Sequence, residues 1–188
     1  PIETDTIMKP LQHIRRKLRA FGLGQKGSAT VEFALVFPAF MVLFISSFEL
    51  GLMTIRHTML ERGLDQTVRL VRLSTNAPPN YQALKTSICD YSSLIPECDK
   101  NLKLEMVRID PQAGAVSLSK NVDCVDRADE LAPVREYVTG DENDLMVLRA
   151  CVLFDPIFPT TGLGFHLPKE SGDAYALVSI SMYVSEPK

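Results

Sequence analysis

Hydrophobic residues are concentrated early in this chain. Sixteen residues without a charge separate Glu32 from Glu49. As a helix at about 1.5 Å per residue, that interval spans roughly 26 Å, so the two carboxylates would sit near opposite edges of a hydrocarbon core about 30 Å thick. A cleaved secretory signal would have a shorter apolar region ending in a small-residue cleavage site. Past Ile55 the pattern becomes amphipathic: Leu60, Leu64, Val68 and Val71 recur at four- and three-residue steps, with Glu61, Arg62, Asp65, Arg69 and Arg72 on other faces. One helix is therefore predicted from about Ser28 to Leu73, near 69 Å long at 1.5 Å per residue and more than a bilayer requires. Pro38 is expected to kink it, and Pro78-Pro79 to end its amphipathic extension.

Beyond the prolines the pattern is α+β. Tyr81 to Ile88 suits a short helix. Leu102 to Ile109 alternates like a half-buried strand, and the turn Asp110-Pro111-Gln112-Ala113-Gly114 leads into Ala115 to Ser119 as its expected hairpin partner. Leu145 to Phe154 and Ala174 to Val184 read as two further strands, separated by the loop Asp155 to Phe165. The predicted fold is a long N-terminal transmembrane and amphipathic helix followed by a small domain with an antiparallel sheet.

Charge gives this helix a direction. Residues 1–27 hold six basic and two acidic side chains, a balance of +4, and the chain total of −3 leaves −7 for the remainder. Basic residues beside a spanning segment resist translocation, which places the N-terminus in the cytoplasm and the acidic part outside. An acidic domain argues against nucleic-acid binding. The basic stretch Leu11 to Phe21 either lies on the anionic leaflet or is a disordered leader. Cys89, Cys98, Cys124 and Cys151 all come after the apolar run, on the exported side where disulfides persist. Of three possible pairings, Cys89 with Cys98 and Cys124 with Cys151 is favoured, because the first closes a short local loop. Zinc is the competing use, weakened by the lack of CxxC spacing and of a nearby His.

Other chemical signals are weak. Gly22-Leu23-Gly24-Gln25-Lys26-Gly27 is a literal G-x-G-x-x-G, but no buried strand precedes it and no βαβ unit surrounds it. His13, His57 and His166 are widely spaced, and no Ser or Cys lies in a nucleophile motif. Asp141-Glu142-Asn143-Asp144 lacks the glycine and distal Glu of a calcium loop, and Asp129-Glu130 has no apolar setting to raise a pKa. No cofactor or metal is expected, and no enzyme.

The most specific feature is Lys26-Gly27-Ser28-Ala29-Thr30-Val31-Glu32-Phe33, set between the basic leader and the apolar run. Gly27, without a Cβ, lets an extended backbone be approached closely, and the basic leader holds it at the cytoplasmic membrane surface. An acidic residue inside a membrane helix is costly and usually has a partner; the simpler reading is that Glu32 reaches the headgroups from a shallow depth. The octapeptide resembles a type IV prepilin processing site. The resemblance implies a cut after Gly27, Ser28 as the new N-terminus, Glu32 fifth and Phe33 sixth, with Glu32 meeting the freed amino group of a neighbouring subunit.

With Pro38, a second carboxylate at Glu49 before Gly51, and the amphipathic extension, Gly27 through Leu73 resembles the TadE-like minor pilins of Flp/Tad systems. The strand and loop from Val147 to Pro159 echo that family more weakly. Major Flp pilins are very short and usually have Glu-Tyr where this chain has Glu32-Phe33, so a shaft subunit is not indicated. The implied organisation is a leader at 1–27, a transmembrane helix at 28–55, an amphipathic extension at 56–76 and a periplasmic α+β domain at 77–188. Implied partners are a prepilin peptidase, other minor pilins, the Flp/Tad inner-membrane platform and the lipid bilayer, with the chain in the bacterial inner membrane as a single-pass protein. Glu32, Pro38, Glu49 and Gly51 are the residues expected to serve assembly; Ala39, Ser46 and Ser47 with Gly51 would let helix backbones approach. The rival is an unprocessed signal-anchored module that binds a ligand or an envelope protein.

Overall fold

The computed structural model describes residues 28–73, 80–110, 119, 121–129, 134 and 136–186. The basic leader, Gly27, the Pro78-Pro79 stop and the expected hairpin strand at 115–118 lie outside the described residues. Helix α1 runs from Ser28 to Leu73, with Pro38 inside it. Helices α2 (Tyr81–Tyr91) and α3 (Cys98–Asn101) come next, then strands β1 (Leu102–Ile109) and β2 (Leu145–Phe154), helix α4 (Gly162–His166) and strand β3 (Tyr175–Val184). The architecture is α+β.

Two compact units divide the chain within α1, between Phe44 and Ile45. In the first, every side chain from Ala29 to Phe40 is exposed. By length and composition α1 is apolar enough to cross a membrane.

The second unit is built on a three-stranded antiparallel sheet in the order β1-β2-β3. Side chains alternate across a pleated sheet, so register decides what each face carries. Leu104 lies opposite Ala150, and Val152 opposite Leu177. These residues join Leu102, Met106, Met146, Leu148, Phe154 and Tyr175 on one face, in the same apolar cluster as Leu60, Leu64 and Val68 of α1 and Leu84 and Ile88 of α2. The stripe at three- and four-residue steps thus forms one wall of the core.

Helices α1 and α2 approach closely at Gly63. A Cβ there would lie 2.0 Å from Ser92 Oγ and 2.9 Å from the Ile88 carbonyl, so only glycine fits. Ser92 Oγ donates to the Met59 carbonyl at 3.0 Å, and Thr67 Oγ1 donates to Ser87 Oγ at 3.2 Å. Asn80 caps α2 by accepting from the Gln82 amide at 3.0 Å.

Strand β1 pairs antiparallel with β2, and Ser119, the one described residue of the expected hairpin strand, lies in no strand. One expectation about β1 is corrected: it is buried on both faces, Lys103 and Glu105 included. The segment 121–129 covers the second face, because the Cys124–Cys151 disulfide fastens it to β2 and Lys103 Nζ pairs with Asp123 Oδ1 at 3.2 Å. Glu105 stands opposite Arg149 in register and accepts a hydrogen bond from its Nη2, while Arg149 Nη1 donates to the Ser119 carbonyl at 2.8 Å. Strand charges that look solvent-facing by alternation are here paired under a covering segment. The second disulfide, Cys89–Cys98, joins α2 to α3.

These buried contacts set two outcomes for stability. Arg149→Ala in the full chain should lower unfolding free energy by about 3–5 kcal/mol in urea titrations, and the paired change Arg149→Met with Glu105→Leu should recover most of it, because a lone buried charge costs more than a well-packed apolar pair. Bridges closing 27 and 9 residues of sequence separation should contribute about 3.5 and about 2.5 kcal/mol by loop entropy. Cys124→Ser/Cys151→Ser should therefore lower the urea midpoint more than Cys89→Ser/Cys98→Ser.

Candidate functional site

The residues singled out by sequence fall in two groups. Glu32, Phe33 and Pro38 belong to the first unit, all with exposed side chains, and the Phe33 and Phe37 rings stack at 4.9 Å. Ser28 is the first described residue of α1. Glu49 and Gly51 belong to the second unit and differ sharply. A Cβ added to Gly51 would meet no atom within 4 Å, so this face of the helix is open to an approaching backbone.

Glu49 is fully buried. Its carboxylate accepts from the Ile157 amide at 3.2 Å and 3.1 Å through its two oxygens, and from the Phe158 amide at 3.4 Å. One turn earlier, Ser46 Oγ accepts from the Leu163 amide at 3.2 Å. These amides belong to the connection between β2 and β3. They lie outside the strands in part-buried surroundings, and backbone N–H groups shielded from water need acceptors. A carboxylate satisfies two at once, and such charge-assisted bonds are each worth about 1.5–3 kcal/mol.

The same face of α1 continues the attachment. Seven residues beyond Glu49, Arg56 donates from Nη1 to the Tyr175 hydroxyl at 3.0 Å, and its guanidinium lies 4.9 Å from the centre of the Phe154 ring. Burial raises the pKa of the Tyr175 hydroxyl, and the Arg56 hydrogen bond partly offsets that rise. At the start of the connection Asp155 is gripped bidentately by Arg127, Nη1 to Oδ1 at 2.7 Å and Nη2 to Oδ2 at 3.1 Å. This contact holds its carboxyl below the usual carboxylate range. Inside the connection, a Cβ at Gly164 would lie 2.4 Å from the Phe158 carbonyl, so the turn closes only on glycine.

Ser46, Glu49, Met53, Arg56, Leu60 and Leu64 thus lie along one helical stripe. Sequence patterning identified its apolar part from Leu60 onward. It missed the polar part, whose signal was the three- and four-residue spacing carried back from Leu60 through Arg56 and Met53 to Glu49 and Ser46. Among the described residues, no three His, Cys, Asp or Glu side chains are grouped as a metal site would require.

Glu49→Ala would leave the Ile157 and Phe158 amides without their acceptor. Chymotryptic cleavage after Phe165 should then speed up by roughly tenfold or more in detergent micelles, a change equivalent to losing at least one charge-assisted bond. Glu49→Gln, which keeps one acceptor oxygen, should fall between. Unchanged cleavage in Glu49→Ala would show that the connection is held by other contacts.

No curated protein and no solved structure matches the chain. Its long N-terminal helix is similar to a known family: residues 27–69, which take in the apolar run and the amphipathic extension as far as Arg69, match the TadE-like protein family.

Proposed function

We propose that the chain is a minor pilin, or pseudopilin, that takes part in assembling a Flp/Tad-type pilus and is processed by a prepilin peptidase. The TadE-like domain associates it with the Tad pilus system. The observation that carries the finer reading is the match beginning at residue 27, directly before the bond whose cleavage would make Ser28 the N-terminus and Glu32 the fifth residue. A second support is the exposure of all side chains from Ala29 to Phe40, as expected of a helix meant for lipid and neighbouring helices.

In this reading the leader 1–27 is removed, 28–55 anchors the protein in the inner membrane, 56–76 extends the helix, and 77–188 is periplasmic. Glu32 meets the freed amino group of a neighbouring subunit. Gly51 offers an open helix face to related minor pilins or the membrane platform. Glu49 serves assembly through the connection it holds in its own chain. The role is structural, and no reaction is assigned to the chain.

Intact mass and N-terminal sequencing, with and without the prepilin peptidase, test this. A new N-terminus at Ser28 is expected only when the peptidase is present, with Gly27→Val blocking the cut and Glu32→Leu cut normally but failing in pilus assembly. An uncut chain, or assembly indifferent to both substitutions, would favour the signal-anchored binding module.

A further inference from the structure

The connection between β2 and β3 has a composition its attachment to α1 does not explain. From Pro156 to Pro168 it contains no Asp, Glu, Lys or Arg. Two of its large apolar side chains face outward, Ile157 at 46% and Phe165 at 63% exposure. On the helix beside its anchor points, Phe48 and Leu50 are exposed as well. A charge-free segment that presents a bulky aliphatic and an aromatic side chain beside exposed apolar helix residues is unfavourable in water and marks an interaction surface.

The place where that surface is fastened indicates its occupant. Ser46 and Glu49 hold the Leu163, Ile157 and Phe158 amides, and these two residues end the uncharged run that begins after Glu32. If α1 spans the bilayer, as the proposed function has it, the roughly 26 Å from Glu32 to Glu49 brings Glu49 to the far edge of a hydrocarbon core about 30 Å thick. Anything bonded to Glu49 then lies at the headgroup and acyl-chain boundary. The geometry points to a second membrane contact: the 156–168 connection, α4 included, rests in the lipid interface where α1 emerges, with Phe165 and Ile157 inserted among the acyl chains.

Three features fit a lipid occupant. Interfacial segments bury Phe and aliphatic side chains by several ångströms while keeping charges out, and the charges here stand at the ends, Asp155 and Lys169. Lys169 Nζ donates to the Gly164 and Asp173 carbonyls at 3.0 Å and 3.1 Å, which draws its charge back onto the connection. Glu49, which would lie where water is scarce, is satisfied by backbone amides.

The chain has no Trp, so a single introduced Trp reports its own position. The full chain is reconstituted in phosphatidylcholine vesicles whose acyl chains are brominated near the glycerol or near the terminal methyl. Phe40→Trp reports the helix, Phe165→Trp the connection, and Val184→Trp the opposite end of β3, about 30 Å along the strand from Tyr175. Ile157→Trp repeats the measurement should Phe165→Trp not fold. Phe165→Trp should lose more than about half its fluorescence, most strongly with bromines near the glycerol, Phe40→Trp should be quenched more by bromines near the methyl, and Val184→Trp should be unaffected. Quenching at Phe40→Trp with none at Phe165→Trp or Ile157→Trp would overturn this inference alone. A blue-shifted but unquenched Phe165→Trp would overturn it in favour of a protein contact. No quenching at Phe40→Trp would overturn the membrane anchor, and this inference with it.

Discussion

One helix serves two solvents. The exposed apolar side chains of α1 from Ala29 to Phe40 suit lipid on every side, while the same helix, further along, buries Leu60, Leu64 and Val68 against the sheet. Fully burying each of those three is worth about 1.5–3 kcal/mol, together comparable to the lower end of a whole domain's stability of about 5–15 kcal/mol. The second half of α1 is therefore a structural wall of the domain. The Glu49 and Ser46 bonds to the β2–β3 connection extend the attachment back towards the end of the uncharged run.

The opposite face of the sheet meets a different constraint. Three strands with helices on one side leave the other side open, and this chain covers part of it with the segment 121–129, fastened by the Cys124–Cys151 bridge and the Lys103–Asp123 pair. The cover permits a buried Glu105–Arg149 pair in direct register. Such a pair contributes little net stability over a well-packed apolar one, and it forms only where Glu105 lies opposite Arg149, as this register of β1 on β2 places it. On β3 that face carries Ile180, Met182 and Val184, all exposed.

Much of this was legible in the sequence, for definable reasons. The helix bounds came from an uncharged run long enough for a bilayer and from periodicity at Leu60, Leu64, Val68 and Val71. The strands Leu102–Ile109 and Leu145–Phe154 came from local apolar patterning, and the disulfide pairing from a preference for a short loop. Contacts distant in sequence were not legible. Alternation made Lys103 and Glu105 look solvated, because nothing near them in sequence announces the segment that covers them. The pairing of β1 with a strand that starts at Leu145 likewise joins segments far apart in sequence. Glu49 was noticed as a carboxylate at a membrane edge, but the donors it accepts from, the amides of Ile157 and Phe158, carry no side-chain signature.

The claim that the domain's core includes the second half of α1 is tested most directly by where the chain can be cut and still fold. Residues 45–188 and 77–188, prepared oxidised in the same mild detergent, can be compared by urea unfolding with hydrogen exchange on the three strands. The longer piece should unfold cooperatively with protected sheet amides, and the shorter should show neither. Cooperative unfolding of 77–188 within about 1 kcal/mol of the longer piece, less than the burial of one of its lost leucines, would contradict the account and reduce the helix to a tether.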